Sequence, residues 1–290
     1  MHNKGYLITF EGNDGSGKTT QIELLKETLK PMGKSVVFTR EPGGTKIAES
    51  IRGILLDTKN TDMSPMTELL LYGAARAQHY ETVIKPALEA GKVVFCDRYI
   101  HSSHAYQGGG RVMDSEFIAE MNFAATEGKS PDFTIWLRSE PAKALMRKND
   151  DVNRMDMNGL SFNMRVEEVY KSFVGESFVG IPVGTIEETQ VNIREALIGN
   201  LKWHALEYGE ETLFEDREEL LVHILTVLVS GKRTSNKNIC STCSNCFLEM
   251  LDDVSHKDGV KENSPRLICL LLGGKNRRYV VSEEYCEDYN

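Results

Sequence analysis

The chain has 290 residues, of which 40% are hydrophobic and 27% charged, and its formal net charge is −9 at pH 7. This length can hold one large α/β domain with an appendage or two modest domains, and the composition is that of an ordinary soluble globular protein. The negative charge argues against a nucleic-acid coat or an anionic membrane surface as partner.

No apolar stretch reaches membrane-spanning length, and the first predicted strand starts too early to leave room for a signal peptide. We therefore expect a cytoplasmic protein that binds neither nucleic acid nor a membrane.

The first elements predict a phosphate-binding site. Residues 6–10 form a mostly apolar run typical of a buried strand, and apolar residues recur at helical spacing from Ile22 to Leu29. Between them, residues 12–19 match the pattern G-x-x-x-x-G-K-[ST], so backbone N–H groups and a helix N-terminus would face an anion. The residues predicted to bind a nucleoside triphosphate are Gly12, Asn13, Asp14, Gly15, Ser16, Gly17, Lys18, Thr19 and Thr20. In this motif Lys18 reaches the β- and γ-phosphates, and the Thr19 hydroxyl ligates Mg²⁺.

The following elements alternate between strand and helix. One helix is predicted from about Thr45, and a long one from Ser64 towards Pro86. Four further strands are predicted at residues 35–40, 93–98, 133–137 and 178–183. Apolar strands that alternate with helices predict an α/β fold whose five-stranded parallel sheet is covered by helices on both faces.

Polar residues follow three of these strands at their carboxyl ends, where ligands bind in such folds. The loop at 12–19, Arg40 and the pair Asp97-Arg98 should therefore converge on one crevice. Asp97 is expected to position Mg²⁺ opposite the phosphate loop. Two guanidiniums at the mouth of this crevice suit bidentate capture of a second phosphate group.

Several segments together resemble the thymidylate kinase family. They read FEGNDGSGKTT at 10–20, TREPGGT at 39–45, AARAQ at 74–78, VIKPAL at 83–88, DRY at 97–99 and SSHAYQGGGR at 102–111. Their order and spacing are close to those of the family over roughly residues 4–206. The resemblance implies a three-layer P-loop kinase fold in residues 1–209. It also implies transfer of the γ-phosphoryl group of MgATP to dTMP, and a homodimer formed through helices beside the sheet.

The resemblance assigns roles around the acceptor phosphate and sugar. Arg40 and Arg98 would hold the phosphate of dTMP, and Asp14 would address the 3′-hydroxyl. Tyr106 would press against the sugar where a 2′-hydroxyl would lie, with Gln107 beside it.

The base would be recognised by three residues. Arg76 and Ser103 would hydrogen-bond the thymine edge, and Tyr72 stands where the family usually stacks Phe on the base. For Tyr72 alone, a half-buried position in the core is the alternative.

A lid that closes over ATP in this family corresponds to about residues 144–156. Arg154, in the segment N-R-M-D, matches a family element D-R-x-E with both acids changed, and is predicted to bind ATP. The phosphate loop has no arginine, so the resemblance assigns a catalytic cation to the lid, for which Arg147 is the candidate beside Lys18 and Arg98. Alternatively, Arg147 and Lys148 only solvate a helix end.

Two other functions stay open at this stage. Tyr72 and the altered lid are also compatible with a deoxynucleoside monophosphate kinase of broader base specificity, or with a nucleotide-binding regulatory protein whose turnover is weakened.

Residues 210–290 extend beyond the family resemblance. A helix is predicted at 216–229 and a polar linker at 232–238, followed by a cysteine-rich segment. A structural zinc site could use Cys240, Cys243, Cys246 and Cys269. Reduced thiols without metal are the alternative, and the extension would bind a partner that the sequence does not identify.

Overall fold

The computed structural model describes residues 5–147, 153–206, Leu221, Leu225 and three short strands at 246–248, 269–271 and 279–280. The chain divides into two compact units, Met1–Asn200 and Leu201–Asn290.

The first unit is built on a five-stranded sheet. Its strands are β1 Tyr6–Glu11, β2 Val36–Arg40, β3 Val93–Asp97, β4 Phe133–Arg138 and β5 Phe178–Pro182. They run parallel in the order β2-β3-β1-β4-β5. The predicted five-stranded parallel sheet is therefore confirmed. Its register pairs Asp97 with both Phe10 and Arg40, so three strands end side by side at one edge.

Nine α-helices are present among the described residues. They are α1 Lys18–Thr28, α2 Lys46–Leu56, α3 Pro65–His79, α4 Lys85–Glu89, α5 Ile100–Ser103, α6 Ser115–Thr126, α7 Pro141–Met146, α8 Gly159–Ser172 and α9 Ile186–Leu206. Two 3₁₀ segments lie at Lys30–Ser35 and Arg154–Asn158, and two π-helical segments at Tyr80–Ile84 and His104–Gly110.

Local capping explains where two predicted helices begin. The Thr45 hydroxyl accepts from the Ala48 N–H, and the Ser64 hydroxyl accepts from the Thr67 N–H. Such caps satisfy N–H groups that have no partner in the first turn. The long helix predicted from Ser64 is interrupted by the π-helical segment just before Pro86, whose ring nitrogen has no proton to donate.

Apolar side chains cover both faces of the sheet, which gives the three layers that the resemblance implied. On one face, the clusters around Trp136 and Leu7 lie side by side. On the opposite face, Ile8, Phe95 and Ile135 are buried. Burial of large side chains in two layers is what holds a parallel sheet between helices.

The second unit is described only in short pieces. Strands β6 Cys246–Leu248, β7 Cys269–Leu271 and β8 Tyr279–Val280 form an antiparallel sheet in that order. The predicted linker and the predicted zinc ligands Cys240 and Cys243 lie outside the described residues. The predicted helix also lies outside them, apart from two buried helical leucines at 221 and 225. The zinc site and a boundary at 209/210 both stay predictions.

Among the described residues, no helix combines the length and apolar character that crossing a bilayer requires.

Candidate active site

The phosphate loop joins β1 to α1, as the sequence predicts. Gly15 and Gly17 have φ angles of 78° and 92°, a region in which only glycine is unstrained. A Cβ on Gly15 would lie 2.2 Å from the carbonyl oxygen of Ala144. Glycine therefore lets the loop turn and pack closely before α1 begins at Lys18 with its N-terminus towards the cleft.

Lys18 is buried and held by its own loop. Its Nζ donates to the carbonyl oxygens of Gly12 and Asn13, both at 3.0 Å, and to Ser16 Oγ at 3.4 Å. Burial lowers the pKa of the ammonium to about 8, and the positive charge of Arg98 adds to this shift. The negative charge of a phosphate placed at this ammonium would compensate for the hydration that burial removed.

Asp97 ends β3 in the same wide cleft, which Thr19 also lines. Its Oδ1 is buried and has no hydrogen-bond partner among the described residues. A buried carboxylate oxygen in the same cleft as a phosphate-loop hydroxyl fits Mg²⁺, which prefers oxygen ligands. These residues therefore fit the magnesium ion that the triphosphate motif implies.

A second group of potential metal ligands consists of Glu41, His79 and Cys96, with donor atoms within 4.8 Å of one another. The two Glu41 carboxylate oxygens already accept from Arg76 Nε at 2.8 Å and contact His79 Nδ1 at 3.1 Å. A metal ion there would have to displace these partners, so the group acts as a hydrogen-bonded support for Arg76.

The predicted acceptor residues converge on a narrow cavity beside the wide cleft. Seven of the eight line it, namely Asp14, Tyr72, Arg76, Arg98, Ser103, Tyr106 and Gln107. The eighth, Arg40, lines the wide cleft and pairs with Glu49 at 2.9 Å. Four residues line both spaces, namely Asp14, Glu41, Arg52 and Arg98. The narrow cavity and the wide cleft therefore meet.

Arg98 stands at this junction in a left-handed backbone conformation, with φ 69°. Such a conformation costs a residue other than glycine about 1–3 kcal/mol and persists where its surroundings fix it. Its Nη2 donates to Asp14 Oδ1 at 2.6 Å and to the Tyr106 hydroxyl at 3.2 Å. The guanidinium is therefore held at the meeting point by side chains of the protein itself.

Arg76 is almost saturated by the protein. Its Nε donates to Glu41, and its Nη2 donates to the carbonyl oxygen of Tyr99 at 2.9 Å. Its Nη1 donates to Ser103 Oγ at 2.7 Å and to Asn122 Oδ1 at 2.5 Å. Four of the five guanidinium N–H groups thus have acceptors within the described part of the chain, which leaves one on Nη2 for a ligand.

Tyr72 lines the narrow cavity and is half-buried. Burial raises the pKa of its phenol, so the ring is neutral at physiological pH. The position of Tyr72 is compatible with both alternatives from the sequence, a ring that stacks on a base and a half-buried core residue, because a half-buried helix residue can also form a cavity wall.

The two arginines predicted for the lid lie in different surroundings. Arg147 is exposed and lines the wide cleft, whereas residues 148–152 lie outside the described part of the chain. Arg154 is buried, with Nη1 2.7 Å from Glu68 Oε2 and Nε donating to the Leu55 carbonyl oxygen at 2.8 Å. Its neighbour Met155 lines the narrow cavity. The structure thus places Arg154 beside the narrow cavity, and its predicted contact with ATP stays a prediction.

Sequence reasoning missed Arg52, which lines both spaces. Its Nη1 donates to the carbonyl oxygen of Pro42 at 2.8 Å. Burial lowers the pKa of Arg52, with a further contribution from Arg40, so cations crowd this region. The available signal was periodicity, because Arg52 lies on the face of α2 that also carries the buried Ala48 and Leu55.

Comparison with known proteins gives one consistent result. The family model described as "Thymidylate kinase" matches residues 10–192. The thymidylate kinase of Halalkalibacterium halodurans is 49% identical over 175 residues, covering 59% of this chain and 83% of that protein. That of Geotalea uraniireducens is 43% identical over 209 residues, covering 68% and 98%. The crystal structure of thymidylate kinase from Ehrlichia chaffeensis has 32% identity and a TM-score of 0.57, covering 67% of this chain and 99% of that one.

Proposed function

The chain belongs to the thymidylate kinase family, and from this premise we propose that it transfers the γ-phosphoryl group of ATP to dTMP, giving dTDP and ADP. The observation that carries the proposal is the meeting of the two spaces at Asp14, Arg52 and Arg98. Direct transfer needs the donor phosphate and the acceptor phosphate end to end, with the attacking and leaving oxygens in line.

On the acceptor side, Arg40, Arg52 and Arg98 would hold the phosphate of dTMP. Its oxygen is already anionic near neutral pH, so the attack needs no general base. Catalysis then consists of alignment and neutralisation of the charge on the transferred group. The Arg98–Asp14 pair would orient the guanidinium for this task, and Asp14 would also accept from the 3′-hydroxyl.

On the donor side, the family uses ATP with Mg²⁺. Thr19 and Asp97 would hold the ion, which neutralises charge on the β- and γ-phosphates when bound. Lys18 would exchange its loop carbonyls for these phosphates. Arg147, at the edge of the cleft, would supply a further cation from the lid.

Base and sugar recognition would use the narrow cavity. The remaining N–H on Nη2 of Arg76 would donate to a carbonyl oxygen of thymine, and Ser103 would contact the same edge. The Tyr72 ring would stack on the base. Tyr106, whose hydroxyl accepts from Arg98, would close the space that a 2′-hydroxyl needs.

We also propose a homodimer. Helices α3 and α6 pack so closely that a Cβ on Gly73 would lie 2.4 Å from Met121 Sδ. The exposed large apolar side chains on these two helices are Met66, Leu70, Phe117 and Phe123. A second copy of the chain would cover them. Sedimentation of the wild type and of Phe123→Lys tests this, and a wild-type monomer at assay concentration would contradict it.

We also propose that residues 210–290 bind a structural zinc ion and a partner that is not identified. A further proposal is that the protein is located in the cytoplasm, where ATP, Mg²⁺ and reduced thiols are available. Metal quantification on the purified chain tests the first of these. A ratio near one zinc per chain would support it, and a metal-free chain would contradict it.

A coupled assay with dTMP, dUMP, dCMP and dGMP tests the main proposal. We expect dTMP to be the preferred acceptor, and equal rates would contradict the assignment. Lys18→Ala should abolish turnover while dTMP binding survives, because a preorganised donor to a transition-state anion typically contributes about 3 kcal/mol or more. A near-normal kcat in this variant would remove Lys18 from the mechanism.

A further inference from the structure

Glu68 is a buried carboxylate on α3 that the reaction itself does not use. Its Oε1 accepts from Gln107 Nε2 at 2.9 Å and from Arg111 Nε at 3.1 Å. Its Oε2 accepts from Arg111 Nη2 at 2.8 Å and lies 2.7 Å from Arg154 Nη1. Burial alone would raise the pKa of this carboxyl, but its hydrogen bonds to Arg111 and Gln107 hold the pKa below the ordinary value. Glu68 is therefore ionised at neutral pH.

An ionised carboxylate fixes which way the Gln107 amide points. It has acceptors and no proton, so only the NH₂ end of an amide can face it. Gln107 lies in the π-helical segment His104–Gly110, is buried, and lines the narrow cavity. With Nε2 held by Glu68, the carbonyl oxygen Oε1 is the end of the amide left for a ligand. A flipped amide would place its oxygen against Glu68 Oε1. Two buried acceptors would then face each other without a proton between them, which is unfavourable.

The cavity then presents a defined polar pattern. Arg76 offers one N–H donor, and Gln107 offers one acceptor. The corresponding edge of thymine carries the O4 acceptor beside the N3–H donor, which complements this pattern. Cytosine carries an amine beside an unprotonated ring nitrogen, which is the reverse.

We propose that Glu68 is a specificity-determining positioning residue: by holding the NH₂ group of Gln107, it makes Gln107 an acceptor and so selects a base with N–H beside a carbonyl. The inference rests on the proposed function, in which the narrow cavity takes the base of dTMP. Glu68 itself does not touch the substrate.

The competing explanation is that Glu68 only holds α3 to two other segments. Its partners lie in the π-helical segment, at the residue that follows it, and in the 3₁₀ segment Arg154–Asn158. A purely structural role predicts lower stability with an unchanged choice of base. The preference for dTMP over dCMP therefore separates the two explanations.

The test compares kcat/KM for dTMP and dCMP in the wild type and in Glu68→Gln, with folding checked by thermal melting. A glutamine at position 68 can donate or accept, so Gln107 is free to turn. We expect the dTMP to dCMP ratio to fall by about tenfold or more through the acceptor KM, with the ATP KM within about twofold. Glu68→Asp is the second variant, because it keeps the charge for the arginines but withdraws the carboxylate from Gln107. The matched control is Glu127→Gln, which removes an exposed carboxylate that pairs with Lys85 at 2.8 Å and should leave the ratio unchanged.

A double-mutant cycle shows whether Glu68 acts through Gln107. Gln107→Met should lower the ratio by itself, and adding Glu68→Gln should then change it no further. The inference would be overturned if the dTMP to dCMP ratio were unchanged in the Glu68 variants that fold. It would also be overturned if Glu68→Gln lowered this ratio as much in the Gln107→Met background as in the wild type. If the wild type converts dTMP and dCMP equally, the proposed function itself fails, which is a different result from a selective wild type with an unresponsive Glu68.

Discussion

The ammonium of Lys18 should take up a proton when ATP binds at alkaline pH. Burial lowers its pKa from 10.5 to about 8, and bound β- and γ-phosphates would raise it again. With a pKa near 8, the ammonium is charged in about 90% of molecules at pH 7, about half at pH 8 and about 10% at pH 9. Binding should therefore take up about 0.1, 0.5 and 0.9 proton per site at these three pH values.

Isothermal titration calorimetry measures this uptake directly. ATP is titrated with excess Mg²⁺ at each pH in buffers of different ionisation enthalpy, and the slope of the observed enthalpy gives the protons taken up. Burial raises the pKa of Glu167 to about 7, and its Oε2 accepts from Asn13 Nδ2 of the phosphate loop at 3.3 Å. This carboxyl contributes at pH 7 but is ionised throughout by pH 9, so the value at pH 9 isolates Lys18.

Two variants define the control. Lys18→Arg carries its charge at every pH used and should show almost no uptake at pH 9. Glu167→Gln should retain the uptake there. Arg98 disfavours the charge on Lys18, whereas Asp97 and Asp14 favour it, and the measured uptake reports their balance with burial. Uptake below about 0.2 proton at pH 9 in the wild type would refute the reasoning, because the ammonium would then be charged before ATP arrives.

Three further predictions follow from other contacts. Asn122→Leu should lower kcat/KM for dTMP by about 5- to 150-fold with the ATP KM unchanged. Without this acceptor the Arg76 guanidinium can turn, and the loss of its hydrogen bond to the base would cost about 1–3 kcal/mol of binding free energy. In urea titrations, the unfolding free energy of His101→Phe should decrease less between pH 6.5 and 4.5 than that of the wild type. Burial lowers the pKa of His101 to about 3, so the unfolded chain binds a proton that the native chain resists. The wild type therefore loses stability as the pH falls below 6.5, by at most about 1.4 kcal/mol per pH unit from this group. Asp97→Asn should raise the Mg²⁺ concentration for half-maximal rate and lower kcat by about tenfold or more, measured by Mg²⁺ titration at fixed ATP.

Each of these has a contrary result. An unchanged kcat/KM in Asn122→Leu would mean that Arg76 keeps its orientation without this acceptor. Parallel stability curves for the wild type and His101→Phe would mean that other groups govern the acid limb. An unaltered Mg²⁺ requirement in Asp97→Asn would place the ion on other ligands.

Much of the fold could be predicted because its signals are local. Buried parallel strands are continuous apolar runs, and helix starts at Thr45 and Ser64 are marked by residues that cap them with their own hydroxyls. Arg52 was missed because a single charge on the buried face of a helix has many causes. The break before Pro86 was missed because a π-helical turn has no simple pattern in the sequence.

The two arginines at the ends of the predicted lid show the limit of such reasoning. Arg147 lines the wide cleft, but Arg154 turns to Glu68, which lies 86 positions earlier in the chain. Their separation along the chain is small, yet a side chain's partner depends on which distant element packs beside it.

The sequence alone determined the geometry of the phosphate loop, because a strand, a glycine-rich loop and a helix N-terminus create it from one continuous segment through backbone groups. Only the tertiary structure decided which polar atoms the narrow cavity offers to a ligand. Arg76 keeps one N–H after four long-range bonds, and Gln107 keeps its carbonyl oxygen because Glu68 holds its amide nitrogen. Hydrogen-bond polarity in a buried cavity is set by what the other end of each side chain contacts, and that contact exists only once the helices have packed.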